Sequence, residues 1–166
     1  FKGIRPAQLL AFSTSSSSAT LPVTMKNVEK NLKVPEEVSS FVLPVGATMN
    51  MDGTSLYQAV AAVFIAQTFG IDLTFTQQLA ILFTALLASI GAAGVPGAGI
   101  VMLAVVLETE GIPTAGIALI MAPDRILDMC RTVVNVTGDA TVATVLGKVK
   151  GKKIDSRKKK KKLKFW

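Results

Sequence analysis

The chain has 166 residues, half of them hydrophobic and only 17% charged, with 18 Lys or Arg against 11 Asp or Glu and no histidine. That balance argues against an ordinary soluble domain. A single cysteine, Cys130, excludes an intrachain disulfide framework and leaves no Cys/His metal site to build; it reads as a small packing residue.

The chain opens on Phe1, not Met, which reads as a fragment or a processed piece, and no cleavable signal sequence is visible. Ser13-Thr14-Ser15-Ser16-Ser17-Ser18 could be a flexible linker, but apolar residues flank it on both sides, from Leu9 to Phe12 and at Ala19 and Leu21. Met25 to Glu37 is polar and charged, an expected surface connection. Val38 to Ala47 is apolar again, broken by Pro44 and Gly46. A polar knot follows, Asn50-Met51-Asp52-Gly53-Thr54, and behind it Gly53 to Ile71 carries no charge, about long enough to cross a hydrocarbon core.

Leu73 to Leu107 is also free of charge, yet Gly91, Gly94, Pro96, Gly97 and Gly99 interrupt it. One helix would not carry these breakers together, so two shorter helices meeting at an irregular tip are expected. Irregular backbone at membrane depth survives only where protein or a water-filled cavity satisfies it. The Ser-rich and Gly-rich stretches therefore read as two copies of one design, helix, tip, helix, of the kind that marks a transporter's binding site.

The last apolar segment, Ile112 to Leu146, carries the densest chemistry. Asp124, Asp128, Arg131, Asn135 and Asp139 are spaced by four, three, four and four, which aligns them on one helix face. In lipid such a stripe must face protein or a cavity. Arg131 can be held by Asp124 or Asp128; one of these acids, with Asp139 and Asp52, is then left without a basic partner. Buried carboxylates of that kind take up protons or bind cations. Asn50, Asn135, Thr48 and freed backbone carbonyls would add hard oxygen ligands suited to Na⁺-like ions. Arg131 suits an anionic substrate group, and Asp128 could accept hydrogen bonds from a substrate ammonium.

The net charge of +7 belongs to the tail. Lys148 to Trp166 holds eleven Lys or Arg and one acid, Asp155, whereas residues 1–147 hold seven basic and ten acidic residues. Next to apolar segments this run suits a cytoplasmic anchor on anionic lipid better than a nucleic-acid site.

These residues resemble the dicarboxylate/amino acid:cation symporters, the family of the excitatory amino-acid and archaeal aspartate transporters. The matching motifs are Ser15-Ser16-Ser17-Ser18-Ala19-Thr20-Leu21-Pro22, Asn50 to Thr54, Gly94-Val95-Pro96-Gly97-Ala98-Gly99, and DMCRTVVNVTGD from Asp128 to Asp139, in order across about residues 8–147. The resemblance implies an all-α membrane protein of re-entrant helical hairpins plus discontinuous transmembrane helices. Residues 1–147 would be the carboxy-terminal part of a transport domain: first hairpin 1–27, ending near Asn27, unwound helix 36–71, second hairpin 76–110 and last helix 112–147. Residues 148–166 would be a polybasic cytoplasmic tail. Symport of an acidic amino acid or C4-dicarboxylate with Na⁺, H⁺ or both would proceed by elevator movement of this domain, gated by the second hairpin. The scaffold, made of helices missing here, is a homotrimer in the family. The location implied is the plasma (inner) membrane, and no enzyme activity is expected.

Carried over by motif, the substrate site would use Ser17, Thr54, Val95, Gly99, Asp128, Arg131, Thr132 and Asn135, with Asp124 orienting Arg131. One cation site would use Gly46, Asn50, Asn135 and Asp139. A second would use Thr48, Ser89, Ile90 and Ala92, and a third Asp52 and Asn50. Many members place an arginine where this chain has Ser15 or Met129; Arg125, one turn before Met129, is the candidate substitute. The alternative is a truncated, non-transporting membrane fragment or binding module of the same family.

Overall fold

The computed structural model describes the backbone of residues 2–162 and the side chains of residues 2–150. The chain is helical throughout that range, with no strand among the described residues. A short 3-10 turn, Lys2–Ile4, leads into α1 (Arg5–Thr14), followed by α2 (Ser17–Leu32), α3 (Glu36–Met49), α4 (Asp52–Thr68), α5 (Phe75–Ile90), α6 (Ala98–Thr109), a 3-10 turn at Thr114–Gly116 and α7 (Ile117–Lys162). The tail expected at 148–166 lies mostly outside the described side chains, although the α7 backbone stays helical to Lys162.

Local chemistry explains the breaks. Ser15 ends α1 in the left-handed region at φ 51°, and Ser16 caps α2 by accepting the Ala19 N–H on its hydroxyl at 3.1 Å. Thr74 starts α5 with a reciprocal cap: its hydroxyl accepts the Gln77 N–H while the Gln77 side chain accepts the Thr74 N–H. Gly97 sits at φ 79°, a conformation that suits glycine, and opens α6.

Two differences from the sequence reading concern length. The connection expected from Met25 to Glu37 is mostly helix: α2 runs on to Leu32, past Asn27, because Thr24, Asn27 and Val28 are buried and continue its inner face. The Gly53–Ile71 stretch yields a 17-residue α4, and among the described residues no helix is long and apolar enough to cross a membrane by itself.

α1 and α2 fold back on each other: Asn31 donates from its side chain to the Gly3 carbonyl at 2.7 Å. α5 and α6 do likewise, Thr84 donating to Glu110 at 3.0 Å. The two hairpins open toward opposite ends of the bundle. The first opens where α3 begins and α7 leaves, since Gly147 lies against Val34 and Pro35, and Lys150 pairs with Glu37. The second opens where α4 ends and α7 begins; Ile65, Ile81, Leu103, Leu107, Ile112 and Ile120 pack there into one core. Val28, Val34, Val38, Leu43, Ala140 and Ala143 form the core at the other end, so α7 is the strut shared by both. The outer faces stay apolar: Leu56, Val60 and Phe64 on α4 and Phe75, Leu82, Phe83 and Leu87 on α5 are all exposed. An apolar surface of this extent marks a face meant for lipid or for other helices.

Candidate functional site

The polar stripe of α7 points inward. Asp124, Asp128, Arg131, Thr132, Asn135 and Asp139 are all buried. Both acids hold the arginine: Arg131 donates from Nη1 to Asp124 and from Nε to Asp128, each at 2.9 Å. Its guanidinium carbon lies 4.3 Å from the centre of the Tyr57 ring, a desolvated cation–π contact worth about 2 kcal/mol. The third nitrogen, Nη2, is buried without a partner. One guanidinium set against two carboxylates leaves a formal charge of −1, and the clamp leaves Nη2 as the donor that a new oxygen can take.

The two hairpin tips close over this group. The Gly94 carbonyl accepts the Ser18 N–H at 3.1 Å and the Ser16 hydroxyl at 2.7 Å, which ties tip to tip. Asp128 accepts the Gly97 N–H at 2.9 Å, so the first amide of the second tip's outgoing helix sits on a carboxylate, where the helix dipole favours negative charge. Gln58 donates to the Gly99 carbonyl at 3.3 Å. A Cβ on Gly99 would stand 2.8 Å from the Arg131 guanidinium carbon, so only glycine lets the tip come this near.

At the break between α3 and α4, Asn135 does the joining. Its carbonyl accepts the Gly53 N–H at 2.8 Å and its amide donates to the Thr54 hydroxyl at 3.1 Å. One side chain thereby satisfies an orphan donor at the start of α4 and fixes the Thr54 rotamer.

Ser17, Thr54, Val95, Gly99, Asp128, Arg131, Thr132 and Asn135 line one cavity, joined by Ser15, Met51, Ala92, Ala93, Gly94 and Ala98. The cavity measures about 20 Å³, room for roughly one water. Asp124 sits behind Arg131 as a clamp.

The residues proposed as cation ligands are less uniform. Asp139 is buried, accepts the Asn50 amide at 3.0 Å, and shares with Asn50 and Gly46 a cavity of about 260 Å³ between α3 and α7. A Cβ on Gly46 would run into the Asp139 carboxylate. Ser89 and Ala92 are buried, whereas Thr48 and Ile90 are exposed; the hydroxyls of Thr48 and Ser89 bond back to the carbonyls of Val45 and Leu86 in their own helices. Asp52, read from sequence as a buried carboxylate, is exposed and lines an open groove with Gln8 and Gly138. It is the first residue of α4, and the turn that buries Gly53 and Thr54 carries it outward. Arg125 is exposed too and forms no ion pair among the described residues. Cys130, expected as a packing residue, is exposed on an apolar groove between α4 and α7.

Tyr57 and Gln58 escaped the sequence reading. They lie three and four positions after Thr54, on the same helical face, and that spacing is the signal that points to them.

Gly94 offers a direct check. A Cβ there would stand 2.6 Å from the Ser18 hydroxyl and 2.9 Å from the Ala47 carbonyl. Gly94→Ala is expected to part the tips and to lower stability by about 1–3 kcal/mol, read as a fall in melting temperature in detergent together with faster amide exchange at Ser18.

Comparisons with known proteins show which family this chain resembles in sequence. The sequence pattern of the Sodium:dicarboxylate symporter family matches residues 1–149. The chain is 56% identical over 144 residues to excitatory amino acid transporter 1 of Ambystoma tigrinum, covering 87% of this chain and 26% of that protein. It is 52% identical over 148 residues to excitatory amino acid transporter 5 of Homo sapiens, covering 89% of this chain and 26% of that one. The match to excitatory amino acid transporter 3 of Mus musculus is 52% over 153 residues, 92% of this chain and 29% of the other. The chain thus spans just over a quarter of the length of these relatives.

Proposed function

This chain belongs to the sodium:dicarboxylate symporter family, and from that premise we propose that it is the substrate- and ion-holding part of a symporter for an acidic amino acid or C4-dicarboxylate, driven by Na⁺. The family and the relatives are transporters, not enzymes. One observation carries the reading: Arg131 is buried between Asp124 and Asp128 with Nη2 unpartnered, under two interlocked tips.

The roles in this reading are those that the motifs imply. Nη2 receives the substrate's side-chain carboxylate, while Asp128 takes the ammonium. Ser17, Thr54, Thr132 and Asn135 supply further polar contacts, and Val95 and Gly99 close the pocket from the second tip. In this reading the second hairpin is the gate: to admit substrate its tip would release the bonds from Gly97 to Asp128 and from Gln58 to the Gly99 carbonyl, and those that Ser16 and Ser18 make to the Gly94 carbonyl. Asp139 with Gly46, Asn50 and Asn135 forms the most coherent cation site, a buried carboxylate with carboxamide side chains whose oxygens would turn to a Na⁺ ion. Thr48, Ser89, Ile90 and Ala92 would act through backbone oxygens at a second site, and Asp52 with Asn50 at a third completed by a helix from elsewhere in the protein.

The exposed apolar faces support a membrane setting for the bundle, in which each hairpin would enter from one side and return to it. Lys and Arg gather at the end where the first hairpin opens and α7 leaves, and that end is cytoplasmic by the positive-inside rule. A trimeric scaffold against which this part moves as an elevator is the assembly expected of the longer protein.

The test is uptake. Membranes holding the longer protein should accumulate labelled aspartate or glutamate down a Na⁺ gradient, and indifference to Na⁺ would overturn the proposal. Asp139→Asn should raise the Na⁺ concentration for half-maximal uptake at least tenfold, or about 1.4 kcal/mol, while aspartate affinity at saturating Na⁺ changes far less.

A further inference from the structure

We propose that the end of the bundle from which α7 emerges is a docking surface for an anionic lipid leaflet, with the segment beyond Lys150 as its extension. The inference rests on the membrane reading above and adds a specific ligand chemistry to it.

Three separate pieces of chain bring positive charge to that end. Lys2 and Arg5 stand where the first hairpin begins, Lys30 and Lys33 where it finishes, and Lys148 on departing α7; all five are exposed. The folding contacts already described, Asn31 to Gly3 and Gly147 on Val34 and Pro35, hold these pieces together. Glu37, an acid of this end, is engaged by Lys150. The α7 backbone stays helical to Lys162, and the sequence of that stretch adds Lys152, Lys153, Arg157 and the five consecutive lysines 158–162. The opposite end is acidic, with Asp72, Glu108 and Glu110.

What selects lipid over nucleic acid is the surface next to the collar. Four residues after Arg5 stands Leu9, and four after Glu37 stands Phe41, respectively 64% and 71% exposed. One helical turn thus separates the basic ring from an apolar girdle, the layering of a headgroup boundary. The sequence adds Phe165-Trp166 just after the lysines, an aromatic pair of the kind that settles at membrane interfaces. A nucleic acid would gain from the charge but not from the apolar ring or the aromatic pair.

Trp166 is the chain's one tryptophan and reports on the tail directly. The full chain is reconstituted in nanodiscs of phosphatidylcholine alone or with phosphatidylserine at about one lipid in three. The expected result is a blue-shifted Trp166 emission and weaker iodide quenching with phosphatidylserine, both reversed at high salt. Replacing lysines 158–162 by glutamine should weaken tail association by about fivefold per lysine removed. Equal emission and quenching in the two discs would overturn the proposal, as would a blue shift produced by an RNA duplex but not by phosphatidylserine. Alkaline carbonate separates the two levels of failure: a chain that stays in the membrane without responding to phosphatidylserine refutes the docking surface alone, whereas a chain that is washed out refutes the membrane reading and the docking surface with it.

Discussion

Arg131→Cys will abolish recognition of acidic substrates, with a loss in aspartate affinity of about a hundredfold or more. The argument is electrostatic. In the native site one guanidinium serves two carboxylates through 2.9 Å contacts, all three groups being buried. Its removal leaves Asp124 and Asp128 facing each other without a cation, and breaking a buried pair from one side costs about 3–5 kcal/mol. The incoming substrate then meets two negative charges where it needs a positive one. A neutral amino acid suffers much less, because Asp128 keeps its carboxylate for the ammonium. Competition binding in the longer protein checks both halves: aspartate should stop displacing a labelled ligand, while a neutral amino acid of similar size should gain relative to it. Unchanged aspartate affinity would remove Arg131 from the substrate site. Arg131→Lys should recover only part of the loss, since an ammonium cannot reach Asp124, Asp128 and a ligand in the planar fork that guanidinium provides.

Much of this site was legible because its chemistry is periodic. Asp124, Asp128, Arg131, Asn135 and Asp139 recur at helical spacing in an apolar background, and only burial on one face explains such a pattern. The breaks were legible for a related reason: Gly97 tolerates a positive φ and Pro96 lacks a backbone donor, so neither suits the middle of a continuous helix. What the sequence withholds is how the breaks meet. That Gly94 receives bonds from Ser16 and Ser18 is a contact across almost eighty residues, and nothing local to either stretch encodes it. Tyr57 and Gln58 were hidden in an uncharged run that reads as lipid-facing; their role depends on which face of α4 meets α7. Asp52 and Asp139 show the same limit from the other side. Both are acids in polar surroundings, yet one turn of helix exposes the first and the α3–α7 crossing buries the second.

The crossing of α4 and α7 yields the second large effect. A Cβ on Gly53 would overlap the Arg131 carbonyl and stand 3.0 Å from the Arg131 carbonyl carbon and Cα, so α4 and α7 touch backbone to backbone. No side chain there can rotate away. Gly53→Ala must therefore push the two helices apart, at a cost of about 1–3 kcal/mol for overpacking a tight contact. The displacement falls where Asn135 accepts the Gly53 N–H and donates to Thr54, and on the helix that carries Tyr57 beneath the guanidinium. Stability and substrate affinity should fall together, with a lower melting temperature in detergent and aspartate binding weakened by about tenfold. Asn135→Ala, compared by melting temperature in the absence of substrate, separates the structural causes, since it removes the bridging hydrogen bonds without adding an atom at the contact. If Gly53→Ala lowers the melting temperature no more than Asn135→Ala does, the hydrogen bonds matter more than the backbone approach. If it lowers the melting temperature further, the glycine is what lets the broken helix reach α7.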